Sequence, residues 1–241
     1  CYLLMLTKAG FIKRTSLSAF SKIRSNGLIA INLEDRDSLK WVRLSKEGDS
    51  VLIGSRTGMA IHFRLDINEL RPLGRTARGV KSMNLREGDN LVSMDVLTAD
   101  LVDELAKIDD ITKEIDENLE IKSSDGPWVL IASSFGLGKR VPVTQFRLQK
   151  RAGMGLRAIK FRIKDDVLVC LKVLGEREEL LFVTEKGVIV RTNADKISQQ
   201  SRAATGVKLQ RLDEGDHLSE VVLVPREQIE EIDQISLDKE K

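Results

Sequence analysis

Lysines and arginines beside glycines are the residues whose types and spacing suggest chemistry. Arg75–Lys81 reads RTARGVK, and Arg202–Lys208 reads RAATGVK, 127 residues later. The same offset carries Leu85, Glu87, Gly88, Asp89 and Leu91 onto Leu212, Glu214, Gly215, Asp216 and Leu218. Such turns suit phosphate. The cations attract it, and a glycine lets backbone N–H groups approach closely. Catalytic patterns are absent from the linear sequence. His62 and His217 stand alone, without a cysteine or carboxylate at metal spacing, and His62 reads as a strand-surface histidine. No Walker loop, GxSxG, HExxH or CxxC occurs. Gly136-Leu-Gly138-Lys139 is read as a hairpin turn, Tyr2 as a core residue, and Asp109-Asp110 and Asp165-Asp166 as solvated loop carboxylates.

The elements that must position these cations follow a period. YLLMLTKAGFIKR, SVLIGSRTGMAIHF, WVLIASSFGLGKR and LLFVTEKGVIVR each read as strand, glycine turn, strand. Their turn glycines are Gly10, Gly58, Gly136 and Gly187, at spacings of 48, 78 and 51 residues. Removing the acidic stretch 98–127 brings the middle spacing to 48. Each repeat continues through a basic segment to a second glycine: Gly27, Gly79, Gly155 or Gly206. An alternating strand follows (LIAINL, VKSMNL, LRAIKF, VKLQRL), then a final apolar strand. Four strands per repeat at this period predict an all-β array of blades, each needing its neighbours to bury its faces. The expected units are blades one and two over 1–97, an insert over 98–127, blades three and four over 128–225, and a polar tail over 226–241. In the insert, Leu101, Leu105, Ile108, Ile111 and Ile115 fall at helical spacing and predict a short amphipathic helix.

Charge is separated along the chain. The net charge is +2, but 98–127 carries −7 and 226–241 carries −3, leaving +12 on the repeats. A basic body joined by acidic connectors points to a polyanionic partner. Aromatics are only 4% of the chain, too few to supply stacking platforms for single strands or an aromatic docking patch. Cys1 and Cys170 form no disulfide or metal pattern, and Cys170 lies in an apolar run. No stretch approaches membrane-spanning length. The chain opens directly on a strand-like run without a methionine, as a fragment of something longer would.

The cations are ordered by the repeat. After the first glycines come Lys13 and Arg14, Arg64, Lys139 and Arg140, and Arg191. Around the second come Lys22 and Arg24; Arg71, Arg75, Arg78 and Lys81; Arg147, Lys150, Arg151 and Arg157; and Arg202 and Lys208. Equivalent positions in stacked blades share one rim, so all of these are expected at phosphates along a duplex.

R-x-A-x-G-V-K, at Arg75–Lys81 and Arg202–Lys208, followed by E-G-D, together with the recurring hairpin G-x-x-[KV]-[KR]-[TV], resembles the repeat of the gyrase A C-terminal domains. That family implies a β-pinwheel, a propeller-like ring whose blades exchange strands, usually six in number. Four repeats here imply a partial ring with one acidic, partly helical insert. The resemblance implies sequence-independent wrapping of double-stranded DNA, supporting negative supercoiling by a parent topoisomerase. It also implies partnership with the rest of a gyrase A protein, and with gyrase B in an A2B2 assembly. No cofactor is expected in this chain; ATP and Mg²⁺ would act elsewhere in the parent enzyme. A bacterial cytoplasm, at the nucleoid, is the implied location, or a plastid or mitochondrion. Gln149-Lys150-Arg151-Ala152-Gly153-Met154-Gly155 is similar to the family's box Q-[RK]-R-G-G-[RK]-G, which adds Gln149, Gly153 and Gly155 to the expected DNA contacts. The corresponding C-terminal domain of topoisomerase IV and a protein-binding propeller scaffold are the alternative readings.

Overall fold

In each repeat an apolar strand, a tight glycine turn and a second strand form a hairpin, and a distant third strand pairs with the first. We describe residues 1–23, 25–114, 127–175 and 178–224 of a computed structural model. Repeat one supplies β1 (Tyr2–Thr7), β2 (Phe11–Ser16) and β3 (Leu39–Ser45). Repeat two supplies β4 (Ser50–Ser55), β5 (Met59–Arg64), β6 (Val80–Lys81) and β7 (Leu91–Leu97). Helix α1 (Ala99–Glu114) follows. Repeat three supplies β8 (Trp128–Ser133), β9 (Leu137–Pro142), β10 (Leu156–Arg157) and β11 (Leu168–Leu174). Repeat four supplies β12 (Glu179–Thr184), β13 (Ile189–Asn193), β14 (Val207–Lys208) and β15 (Leu218–Val224).

The sheets do not follow the repeats. Their orders are β3-β1-β2-β6, β10-β5-β4-β7, β11-β8-β9-β14 and β13-β12-β15. Each of the first three blades is closed by a two-residue strand from the next repeat. Phe11 pairs with Lys81, Met59 with Arg157 and Leu137 with Lys208, one register repeated three times. β3, β7, β11 and β15 neighbour one another in succession, so they converge on one side and the exchanged strands lie opposite, at the outer edge. Two expectations are corrected here. The fourth blade has three strands among the described residues, and LIAINL at 28–33 forms none. Both follow from exchange, because a closing strand needs a neighbouring hairpin to close.

The interior is three successive interfaces between blades. Along β4, Val51 and Ile53 face blade one while Leu52 faces blade three. Leu130 and Ala132 of blade three meet Leu180 and Phe182 of blade four. The alternation buries both faces of the middle blades. The end blades keep one open face each, where Val42 and Leu44, or Val222, are exposed. Helix α1 seals the second interface with Val102 and Leu105. The expected amphipathic helix is therefore present. Asp109 and Asp110 lie on it and not in a loop. Ile115 and the tail 226–241 fall outside the described residues.

The E-G-D echo has a structural cause. One aspartate before the last strand of each repeat caps the first hairpin turn of that repeat. Asp37 accepts from Ala9 N (2.9 Å), Asp89 from Thr57 N (3.1 Å), Asp166 from Phe135 N (3.1 Å) and Asp216 from Lys186 N (3.1 Å). The preceding residue has positive φ in all four: Arg36, Gly88, Asp165 and Gly215. Asp166 is thus buried and bonded, not solvated as its pairing with Asp165 suggests.

Candidate nucleic-acid interface

The exchanged strands present a row of cations. In each, the second residue after the glycine is a cation. Lys81, Arg157 and Lys208 therefore occupy one register position and are all exposed. The loops that lead into these strands carry further exposed cations: Arg71 and Arg78; Arg147 and Lys150. Lys22 lines an open cleft with Arg75 and Thr76. Arg78 is exposed, stacks over Phe11 at 4.3 Å and pairs with Glu34. Arg191 is exposed and pairs with Glu179.

Three expected contacts are corrected. Lys13, Arg14 and Lys139 are fully buried and cannot reach a phosphate. Lys13 Nζ donates to Ala30 O (2.7 Å), Gly74 O (2.9 Å), Ala77 O (3.1 Å) and Arg75 O. Lys139 Nζ donates to Ser201 O (2.8 Å), Ala204 O (2.7 Å) and Arg202 O. Burial pulls both ammonium pKa values down to about 8, so both remain charged at neutral pH. Arg14 donates to Leu65 O (2.8 Å), Leu70 O and Glu47. Two other cations are half-buried and paired within the chain. Arg64 bonds Asp103 of α1 at 3.1 Å, and Arg140 lies 4.8 Å over Trp128 and 3.5 Å from Asp195. Arg24 falls outside the described residues.

Neighbouring loops are tied into a file. Arg151 and Arg202, each four residues before its glycine, donate to Lys81 O and Arg157 O of the preceding loop. Asn84 N donates to Gly153 O (2.9 Å), and Lys160 N to Ala204 O (3.3 Å). The box-like segment is held further by Arg151 Nε on Glu69 O (2.7 Å) and by Gln149 N on His62 O (2.7 Å). Arg151 and half-buried Gln149 are thereby largely internal, whereas Lys150 faces out. Gly153 lies over Ile61, and Gly155 packs on Ala60 O. Sequence reading missed Lys160, which is exposed and five residues past Gly155. Its signal was the basic residue Arg211 at the same place after Gly206.

His62 is buried, in contrast to its expected place on a strand surface. Its Nδ1 faces Phe146 O at 2.7 Å, a pure acceptor, so Nδ1 carries the proton and Nε2 accepts from Ser50 Oγ at 2.7 Å. Burial lowers its pKa below the usual 6.5, and the Arg64 charge lowers it further. A base whose folded pKa is depressed stabilises the fold fully above its unfolded value. That contribution declines as pH falls through about 6.5 toward the lower folded value. A His62→Gln variant is expected to flatten the loss of thermal stability between about pH 7 and pH 5, and an unchanged slope would contradict this.

The sequence matches a family described as DNA gyrase C-terminal domain, beta-propeller, over residues 2–46, 49–98, 127–170 and 178–225. The chain belongs to this gyrase C-terminal domain family. The DNA gyrase A protein of Synechocystis sp. is 52% identical over 99% of this chain and 28% of its own length. That of Staphylococcus epidermidis is 39% identical over 94% of this chain and 22% of its own. The chain thus spans about a quarter of the curated gyrase proteins it matches. Among solved structures, a DNA topoisomerase IV C-terminal domain superposes with a TM-score of 0.75 at 26% identity, over 94% of this chain and 62% of that one. A DNA gyrase A C-terminal domain gives 0.71 at 27% identity, over 93% and 66%. The matched segments leave out α1 and residues 115–126.

Proposed function

We propose that this gyrase C-terminal domain binds double-stranded DNA through its phosphates and bends it along the outer edge of the blades. The observation that carries the reading is the exposed row Lys81, Arg157 and Lys208 at one register position on three exchanged strands. Repeated cations at the edge of a curved array suit a bent, sequence-independent path. No described tryptophan, tyrosine or phenylalanine is among the exposed large hydrophobic residues, which speaks against base stacking and against an aromatic protein-docking patch. The work of the parent protein is part of the same proposal. The chain would serve a gyrase A protein that works with gyrase B in an A2B2 complex in a bacterial cytoplasm, where ATP and Mg²⁺ are used elsewhere.

The test is topological. The chain is incubated with nicked plasmid, the nick is ligated, the protein is removed and the linking number is read across a salt series. A handed shift that disappears at high salt is the expected result. Replacing Lys81, Arg157 and Lys208 together by alanine is expected to reduce the salt slope of binding by about 3, at roughly 0.9 per lost contact. Binding without a shift favours the topoisomerase IV type of domain. A folded chain that does not bind duplex at low salt defeats the DNA reading.

A further inference from the structure

We propose that Lys13 and Lys139 are positioning residues for the DNA contacts. Each buried ammonium gathers the backbone carbonyls of the next repeat's exchange loop and so fixes the place of Lys81 or Lys208. This rests on the DNA-binding reading above. The two cages are copies of each other. Gly74, Arg75 and Ala77 stand five, four and two residues before Gly79, and Ser201, Arg202 and Ala204 stand at the same distances before Gly206. An ammonium has three N–H donors, and each here faces at least three carbonyls, so none remains for phosphate.

The other repeats separate this role from packing. Three residues past the turn glycine, repeats two and four carry Ile61 and Val190 instead of lysine. The loop over Ile61 is held by Arg151 and Glu69 instead, with Glu69 Oε2 accepting from Arg151 N at 2.8 Å. An apolar side chain thus completes the hairpin at this position. What the lysine adds is a single conformation for a loop whose carbonyls would otherwise diverge, which lowers the ordering cost of presenting a cation to DNA.

The experiment is a thermodynamic cycle on the 241-residue chain, read by anisotropy of a labelled duplex at several salt concentrations. Lys13→Met and Lys81→Ala are each expected to weaken binding ~5-fold, and the pair little more than either alone, because the first acts through the second. Lys13→Met combined with Lys208→Ala, on a different loop, is expected to multiply to ~25-fold. Lys139→Met should mirror this, coupled to Lys208→Ala and independent of Lys81→Ala. Full multiplication within a cage pair overturns the proposal. The unmodified chain supplies a second measurement should a methionine variant not fold. Under mild lysine acylation, Lys81 and Lys208 should react in the free chain and be shielded by duplex. Lys13 and Lys139 should stay unreactive in both states. A Lys13 that reacts alone and is shielded by DNA is a direct contact, and the proposal fails. If the folded chain binds no duplex at all, the functional reading fails first and takes this proposal with it.

Discussion

Gly155→Ala is expected to lower stability by about 3 kcal/mol and to detach β10 from β5. Gly155 sits at φ +75°, where an L side chain is already strained, and an added Cβ would lie 2.5 Å from Ala60 O and 2.8 Å from Met83 Cε. Ala60 is the residue that Leu156 pairs with in the exchanged strand. The clash therefore falls on the clasp itself, and neither backbone can move without breaking the register. Urea denaturation should show the loss in the midpoint. Hydrogen exchange should show it first at Ala158 N, which donates to Gly58 O at 2.8 Å. A change below about 0.5 kcal/mol would mean that the clasp is softer than its geometry implies.

Arg14→Met is expected to cost about 2–4 kcal/mol while leaving the salt slope of DNA binding unchanged in folded samples. Methionine retains much of the aliphatic stem but removes the donors to Leu65 O and Leu70 O, leaving buried carbonyls unpaired. Glu47, half in solvent, can turn to water, so the carboxylate adds little to the loss. Thermal unfolding and duplex titration of one preparation check both halves. A reduced slope would return Arg14 to the contact surface.

The blades were legible in the sequence because hairpins leave local signals: a strand, a positive-φ glycine and a second strand. The insert helix was legible through Leu101 and Leu105. The direction of each cation was not. Lys13 and Arg14 are adjacent in β2, and alternation would send one inward and one outward, yet both are buried, one under the exchange loop and one under the turn after β5. Only comparison across repeats marks Lys13, since its counterparts Ile61 and Val190 are apolar. The partner of each short closing strand was also hidden. Two residues such as Val80 and Lys81 carry no pattern that identifies a hairpin in another repeat. The family resemblance supplied the exchange, and the pairing of Phe11 with Lys81 specifies it.

Exchange also sets a timetable for synthesis. Ile12 meets Val80, so blade one cannot be closed until 68 further residues have been made. At about 5–20 residues per second, its edge stays open for roughly 3–14 s. The next two blades wait in the same way, 96 residues from Ala60 to Leu156 and 69 from Gly138 to Val207, because each clasp is encoded in the repeat still to come. The nascent chain therefore carries a moving unpaired edge toward its C-terminus, the feature most prone to join strands with a neighbour. Among the described residues that edge comes to rest at β13, where Ile189 is 61% exposed.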